Sequence, residues 1–151
     1  MRFLPILLCL LLTSSCSQQK DKWKAARPDV VKAKVIVLLD ESPLEEAKVF
    51  LNSADGKNGA FAQTDGNGQG QLTTFSNNDG AVEGTHQVRI TKETAIVHQT
   101  DKIDDSTGEP IVRVEHQSHL PKKYASFDTS GLSATISKEG SNEITLKIYS
   151  K

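Results

Sequence analysis

Two short stretches carry the residue types and spacing that metal chemistry needs. In "TDGNGQG", residues 64 to 70, Asp65, Asn67 and Gln69 stand at alternate positions with glycine between them. That is how a calcium-chelating loop begins, because alternate oxygens along a curled backbone converge on one point. Such a shell is closed by a bidentate Glu at about the twelfth position, and counting from Asp65 that place holds Ser76. The flanking "AFAQT" and "QLTTF" have strand texture where the chelating motif has helices. A turn accounts for every residue: Gly66, Gly68 and Gly70 permit positive φ, while Asp65 and Asn67 hydrogen-bond neighbouring amides. The expectation is a strand-connecting turn. The second stretch, "EHQSH" from Glu115 to His119, sets His116 and His119 beside a carboxylate. On a helix the two imidazoles converge; on a strand they face opposite sides. A third ligand then has to come from His98 or from Asp101, Asp104 and Asp105. Solvated loop histidines are the plainer expectation, no cofactor is assigned, and metal binding by His98, His116 and His119 stays open.

Other chemistry is thinner. The chain contains neither a Gly-x-Ser-x-Gly nucleophile elbow nor a His-Glu-x-x-His zinc motif, so no catalytic residue is assigned and the expectation is a protein without enzymatic activity. Aromatic residues make up 5% of the chain, which leaves few rings for stacking a sugar. Tyr124, in "LPKKYAS", and Tyr149, near the end, are the two tyrosines available for a carbohydrate platform, though such residues more often pack with a polar tip.

The elements that position these residues begin with an export leader. Arg2 supplies a basic start and "FLPILLCLLL", Phe3 to Leu12, a short apolar run. Ten residues are too few for a spanning helix, which takes about 20. The run ends "LLTSSCSQQK", which resembles the lipobox of bacterial lipoproteins, where the cysteine thiol is diacylated; Thr13 stands three residues before Cys16 where lipoboxes usually carry Leu, Val or Ile. The resemblance implies a signal peptide over residues 1–15 and lipidation at Cys16. Cleavage after Ser15 without lipid is the alternative. Cys9 leaves with the leader, so Cys16 is the one thiol of the exported chain and has no internal disulfide partner. Without Arg2, 17 basic residues face 19 acidic ones, interspersed along the length. This gives no basic face for nucleic acid.

Residues 16–34 read as a polar tether, broken by Pro28, whose one large apolar residue is Trp23. From Val35 onward the chain turns to short apolar or alternating runs between turn residues, which is the texture of strands. "VIVLL", Val35 to Leu39, is continuous and suits a sheet centre. "AKVFL", "AFAQT" and "QLTTF" follow. In "THQVRITK", Val88 and Ile90 point to a buried face. The final run sets Ile144, Leu146 and Ile148 against Thr145, Lys147 and Tyr149, and is expected to be a half-buried antiparallel strand. Between them, residues 94–119 form a polar insertion with a turn signal at "DSTGEP" and an alternating "IVRVE", either a projecting hairpin or a mobile loop.

The order of "PLEEAKVFLNS", "AQTDGNGQGQLTTF", "DGAVEGTHQVRITK", "LPKKYAS", "TSGLSATI" and "EGSNEITLKI" resembles that of small planctomycete-type lipoproteins with a carboxypeptidase regulatory-like domain. The resemblance spans roughly Val35 to Ile148. Ser42 and Glu46 stand where that family often has glycine. It implies an all-β, transthyretin-like (prealbumin-like) antiparallel β-sandwich of about seven strands over residues 35–151. Hydroxyisourate hydrolases share that architecture and end in Tyr-Arg-Gly-Ser; this chain ends "KIYSK", keeping Tyr149 and Ser150 without the Arg and Gly. A fold alone supplies no activity. The functional expectation is a lipid-anchored module of the bacterial envelope, at the outer membrane or cell surface, without catalysis. It is held to the membrane by its N-terminal lipid and binds an envelope protein or a polysaccharide. The alternatives are a carbohydrate-binding module and a small hydrolase or metal-binding protein using the insertion.

Overall fold

A computed structural model describes residues 26–151; the expected leader, Cys16 and Trp23 lie outside the described residues. In chain order the strands are β1 (Val30–Val31), β2 (Lys34–Leu39), β3 (Ser42–Pro43), β4 (Lys48–Ser53), β5 (Gly59–Gln63) and β6 (Gln69–Gln71). They continue with β7 (Ala81–Val82), β8 (Gly84–Thr91), β9 (Glu93–Ile103), β10 (Pro110–Ser118), β11 (Leu132–Ile136) and β12 (Glu143–Ile148). A 3₁₀ turn at Lys122–Ala125 and a single helical turn, α1 (Phe127–Ser130), join β10 to β11.

The molecule is all-β, and its two main sheets share one core. One sheet runs β11-β8-β4-β5, antiparallel throughout. In the other, β2 is central, with β12 on one side and β3 and β6 on the other. The branched "KVIVLL" run suits that central place, because β-branched side chains fit a pleated, covered surface. Val35 and Val37 of β2 and Leu146 and Ile148 of β12 are buried with Val49 and Leu51 of β4, Val88 and Ile90 of β8, and Ala134 and Ile136 of β11. Along β12 the alternation is as expected: Thr145 and Lys147 are exposed, and Ile144 is half-buried against the core.

One expectation about β12 is corrected. It runs parallel to β2, with Ile144 opposite Val35, Leu146 opposite Val37 and Ile148 opposite Leu39. Alternation reports which face of a strand is covered and carries nothing about the direction of its neighbour. The pair is fastened at one end by Lys34 and Glu143, 2.7 Å apart. The body also begins ahead of Val35, since Val30 and Val31 pair with Val82 and Ala81 and Ala33 is buried.

Of the buried polar side chains, Thr64 and Ser130 are hydrogen-bonded, while His86 is held through Nε2 and its Nδ1 has no partner among the described residues. The buried Thr64 hydroxyl donates to the Leu44 carbonyl at 2.6 Å and accepts the Ala47 amide at 2.8 Å, tying the approach to β4 onto the end of β5. The turn between β7 and the preceding loop depends on Gly80, at φ +108°, where an added Cβ would overlap the Val31 carbonyl.

The insertion is a hairpin. β9 and β10 pair antiparallel with Val97 opposite Val114, and the ladder shifts register between Pro110 and Val112. Nearly every residue of both strands is exposed, and among the described residues neither strand pairs with anything but the other.

Candidate functional site

Pairing in the hairpin decides which of its side chains meet. Ala95, Val97 and Gln99 lie opposite His116, Val114 and Val112, so these six share one face. Thr94, Ile96 and His98 lie opposite Gln117, Glu115 and Arg113 on the other. The first face is largely apolar and open to solvent: Val97 is 62% exposed, Val112 55% and Val114 48%. The second is charged, with His98 Nε2 3.3 Å from a Glu115 carboxylate oxygen. His98, Thr100, Arg113 and Glu115 line a hollow of about 500 Å3 there.

The three candidate histidines are therefore separated. His98 is on the charged face, His116 on the apolar face, and His119 at the hairpin base, where its Nε2 is 2.7 Å from the Thr94 hydroxyl. Asp104 serves the hairpin turn by accepting the Ser106 hydroxyl at 2.6 Å and the Ser106 amide at 2.8 Å. Those two donors, the hydroxyl foremost, hold its carboxyl below the usual carboxylate range. Among the described residues, no three His, Cys, Asp or Glu side chains stand close enough together to hold a metal ion.

The loop that opened the sequence reading is closed on itself. One Asp65 carboxylate oxygen accepts the amides of Asn67 and Gln69, each at 2.9 Å, and the Gly68 amide donates to the Asp65 carbonyl. Of its three glycines only Gly68 has positive φ, +71°. A Cβ there would come within 2.7 Å of the Val37 carbonyl, so glycine is required for close approach as well as for conformation. The oxygen that a chelating loop would aim inward is spent on the turn's own amides.

Tyr124 does not belong to a sugar platform. It is 4% exposed, and its hydroxyl accepts the Tyr149 amide at 3.1 Å, joining the 3₁₀ turn to the end of β12. Tyr149 itself is 47% exposed. Its neighbour Ser150 gives its amide to the Asp40 carboxylate.

Two features escaped the sequence reading. His86 lies on the inward face of β8 with Val88 and Ile90, buried, with Nε2 2.8 Å from the Val82 carbonyl; the same alternation that marked the two apolar residues would have placed it. On the outward face, Phe61, Phe50 and Arg89 stand side by side across β5, β4 and β8. The two rings are tilted at a centroid distance of 5.2 Å, and the Arg89 guanidinium lies 3.9 Å over Phe50 and 5.4 Å over Phe127 of α1. Phe61 also borders a shallow groove of about 270 Å3 with Gln63, Gln69, Gln71, Asn77 and Asn78. These residues come from three separate segments that only strand pairing brings together.

Comparison with family models, curated proteins and solved structures found no match to this chain.

Proposed function

We propose that this protein is a lipid-anchored module of the bacterial cell envelope, without catalytic activity, whose projecting hairpin is its interaction element. The observation that carries this reading is the β9–β10 hairpin: two strands, two edges unpaired among the described residues, and Val97, Val112 and Val114 open to water on one face. An isolated two-stranded hairpin is marginal on its own, and an apolar face with free strand edges is a surface that pairs. Four aspartates are committed to holding backbone. Asp55, Asp79 and Asp104 each accept two or more hydrogen bonds from nearby backbone or hydroxyl groups, Asp40 accepts the Ser150 amide, and all four carboxyls are held below their ordinary range.

Anchoring rests on the sequence of the leader and on Cys16, and it gives the tether its purpose. The order of motifs from Val35 to Ile148 supports a transthyretin-like, carboxypeptidase regulatory-like body of about seven principal strands. Photo-crosslinking in whole cells tests the interaction role. With a photoreactive residue in place of Val97, adducts are expected, whereas the same residue at the exposed Thr145 of β12 gives none. Absence of adducts at Val97 would contradict the proposal.

A second reading has its own observation. Phe61 beside Gln63, Gln69, Gln71, Asn77 and Asn78 puts an apolar ring next to paired amide donors and acceptors, the chemistry that recognises a carbohydrate. Retention on immobilised polysaccharide that Phe61→Ala abolishes would favour it.

A further inference from the structure

The outer edge of β10 is complementary to a second copy of itself. The hydrogen bond from the His119 amide to the Lys92 carbonyl marks that pair as a bonded one. By alternation along the ladder, residues 113, 115 and 117 aim their backbone groups at β9, and Val112, Val114 and His116 aim theirs outward. The side-chain hydrogen bond from Thr100 to the Ile111 carbonyl has the same sense, since Ile111 also faces β9.

We infer that two copies of this chain pair through β10, antiparallel, about a two-fold axis at Val114. This rests on the hairpin being the interaction element. At that register Val114 meets Val114 as a reciprocal bonded pair, and Val112 meets His116 of the second copy on either side of it. Arg113 then faces Glu115 of the second copy, and Glu115 faces Arg113. Both are non-bonded pairs, where side chains approach most closely. Glu115 comes to lie between His98 of its own hairpin and Arg113 of the other. The apolar faces of the two hairpins join into one band across a four-stranded sheet.

Charges along a free edge ordinarily deter pairing, and here they select the register. A two-fold axis at Arg113 or Glu115 sets like charges against each other, and one at Val112 puts Pro110, which has no N–H, opposite Val114 beside the axis, whereas the Val114 register carries it out to the end of the ladder, opposite Ser118. On the other edge, a two-fold at Val97 brings Glu93 against Asp101 twice and gains no opposite-charge pair. The two bodies stand at opposite ends, with hairpin bases about 27 Å apart at the rise of an extended strand, so the arrangement is self-limiting and closed, as an isologous pair must be.

The test is oxidative crosslinking of the full-length chain in its membrane. Val114→Cys is expected to give a disulfide-linked homodimer, since bonded antiparallel pairs have Cα atoms about 5.5 Å apart, within disulfide reach, while Val97→Cys stays monomeric. Adding Arg113→Glu or Glu115→Arg alone to Val114→Cys should lower the dimer about tenfold, because two attractive cross-strand pairs become repulsive. Both swaps together should restore it, and the two singly swapped chains should form a mixed dimer when co-expressed. A Val114→Cys chain that stays monomeric, or a dimer indifferent to the swaps, overturns the self-pairing. If Val97 photo-adducts still form with a different envelope protein, the hairpin's interaction role survives that failure.

Discussion

Asp79 shows how single side chains hold the long loop before β7. Its carboxylate accepts the amides of Thr74, Phe75 and Ser76 at 2.7, 2.9 and 2.8 Å. Burial pushes this carboxyl up, but the three amides together outweigh it and hold the group below its ordinary range. A depressed folded-state value means a contribution present above the unfolded value, about 3.9, and lost as the pH falls through the folded one. Asp79→Asn is therefore expected to cost about 1 to 2 kcal/mol at pH 7, with the gap from the wild type narrowing towards pH 3 in denaturant titrations. A constant gap would assign the loss to packing. Glu46 presents the opposite case. It has φ +55° with its side chain exposed, a conformation that costs a non-glycine residue about 1 to 2 kcal/mol. Because glycine also frees the unfolded chain, Glu46→Gly should leave stability unchanged or raise it by up to about 1 kcal/mol. A thermal melt that falls by several degrees would show that the exposed carboxylate has a partner.

At the scale of elements, the sequence was most legible where a strand has one wet face. The alternation in β8 and β12 assigned Val88, Ile90, Leu146 and Ile148 to the interior, where they lie. It said nothing of the parallel pairing of β12 with β2, because period reports burial and not direction. Residues 94–119 were ambiguous for the same reason: with both faces exposed, no periodic burial existed to read, and only the "DSTGEP" turn and the alternating "IVRVE" run pointed to a hairpin. Tyr124 packs with a polar tip, as its residue type suggested, but the partner of that tip could not be read because it lies at the end of β12, distant in sequence. The register of β12 is testable by a pair of substitutions. Leu146→Ala should cost about 2 to 5 kcal/mol through lost burial and a residual cavity. Lys147, exposed and 3.2 Å from Glu41, should change stability by at most about 0.5 kcal/mol when replaced by Ala. Equal costs would place the wrong residues inward, since a one-residue slip turns every side chain over.

For the whole molecule, the proposed function makes a leader, a tether, the β-sheet body and the projecting hairpin one device that presents an interaction surface away from a membrane. The body places the hairpin on β8 and the 3₁₀ turn, and the proposal gives the polar segment ahead of the body the role of a tether to the lipid. Among the candidate sites, the turn chemistry of "TDGNGQG" was readable from local residues alone. The Phe61–Phe50–Arg89 row and the hairpin faces were not, because each is assembled by pairing between strands. The claim on which the rest depends is that Cys16 carries lipid. Two or three acyl chains anchor firmly at about 0.8 kcal/mol per buried CH₂. Labelled palmitate supplied to cells expressing the protein should enter the wild type and hold it in the membrane fraction, and Cys16→Ser should be unlabelled and released without detergent. Equal labelling of the two, or an unlabelled wild type, would contradict the account.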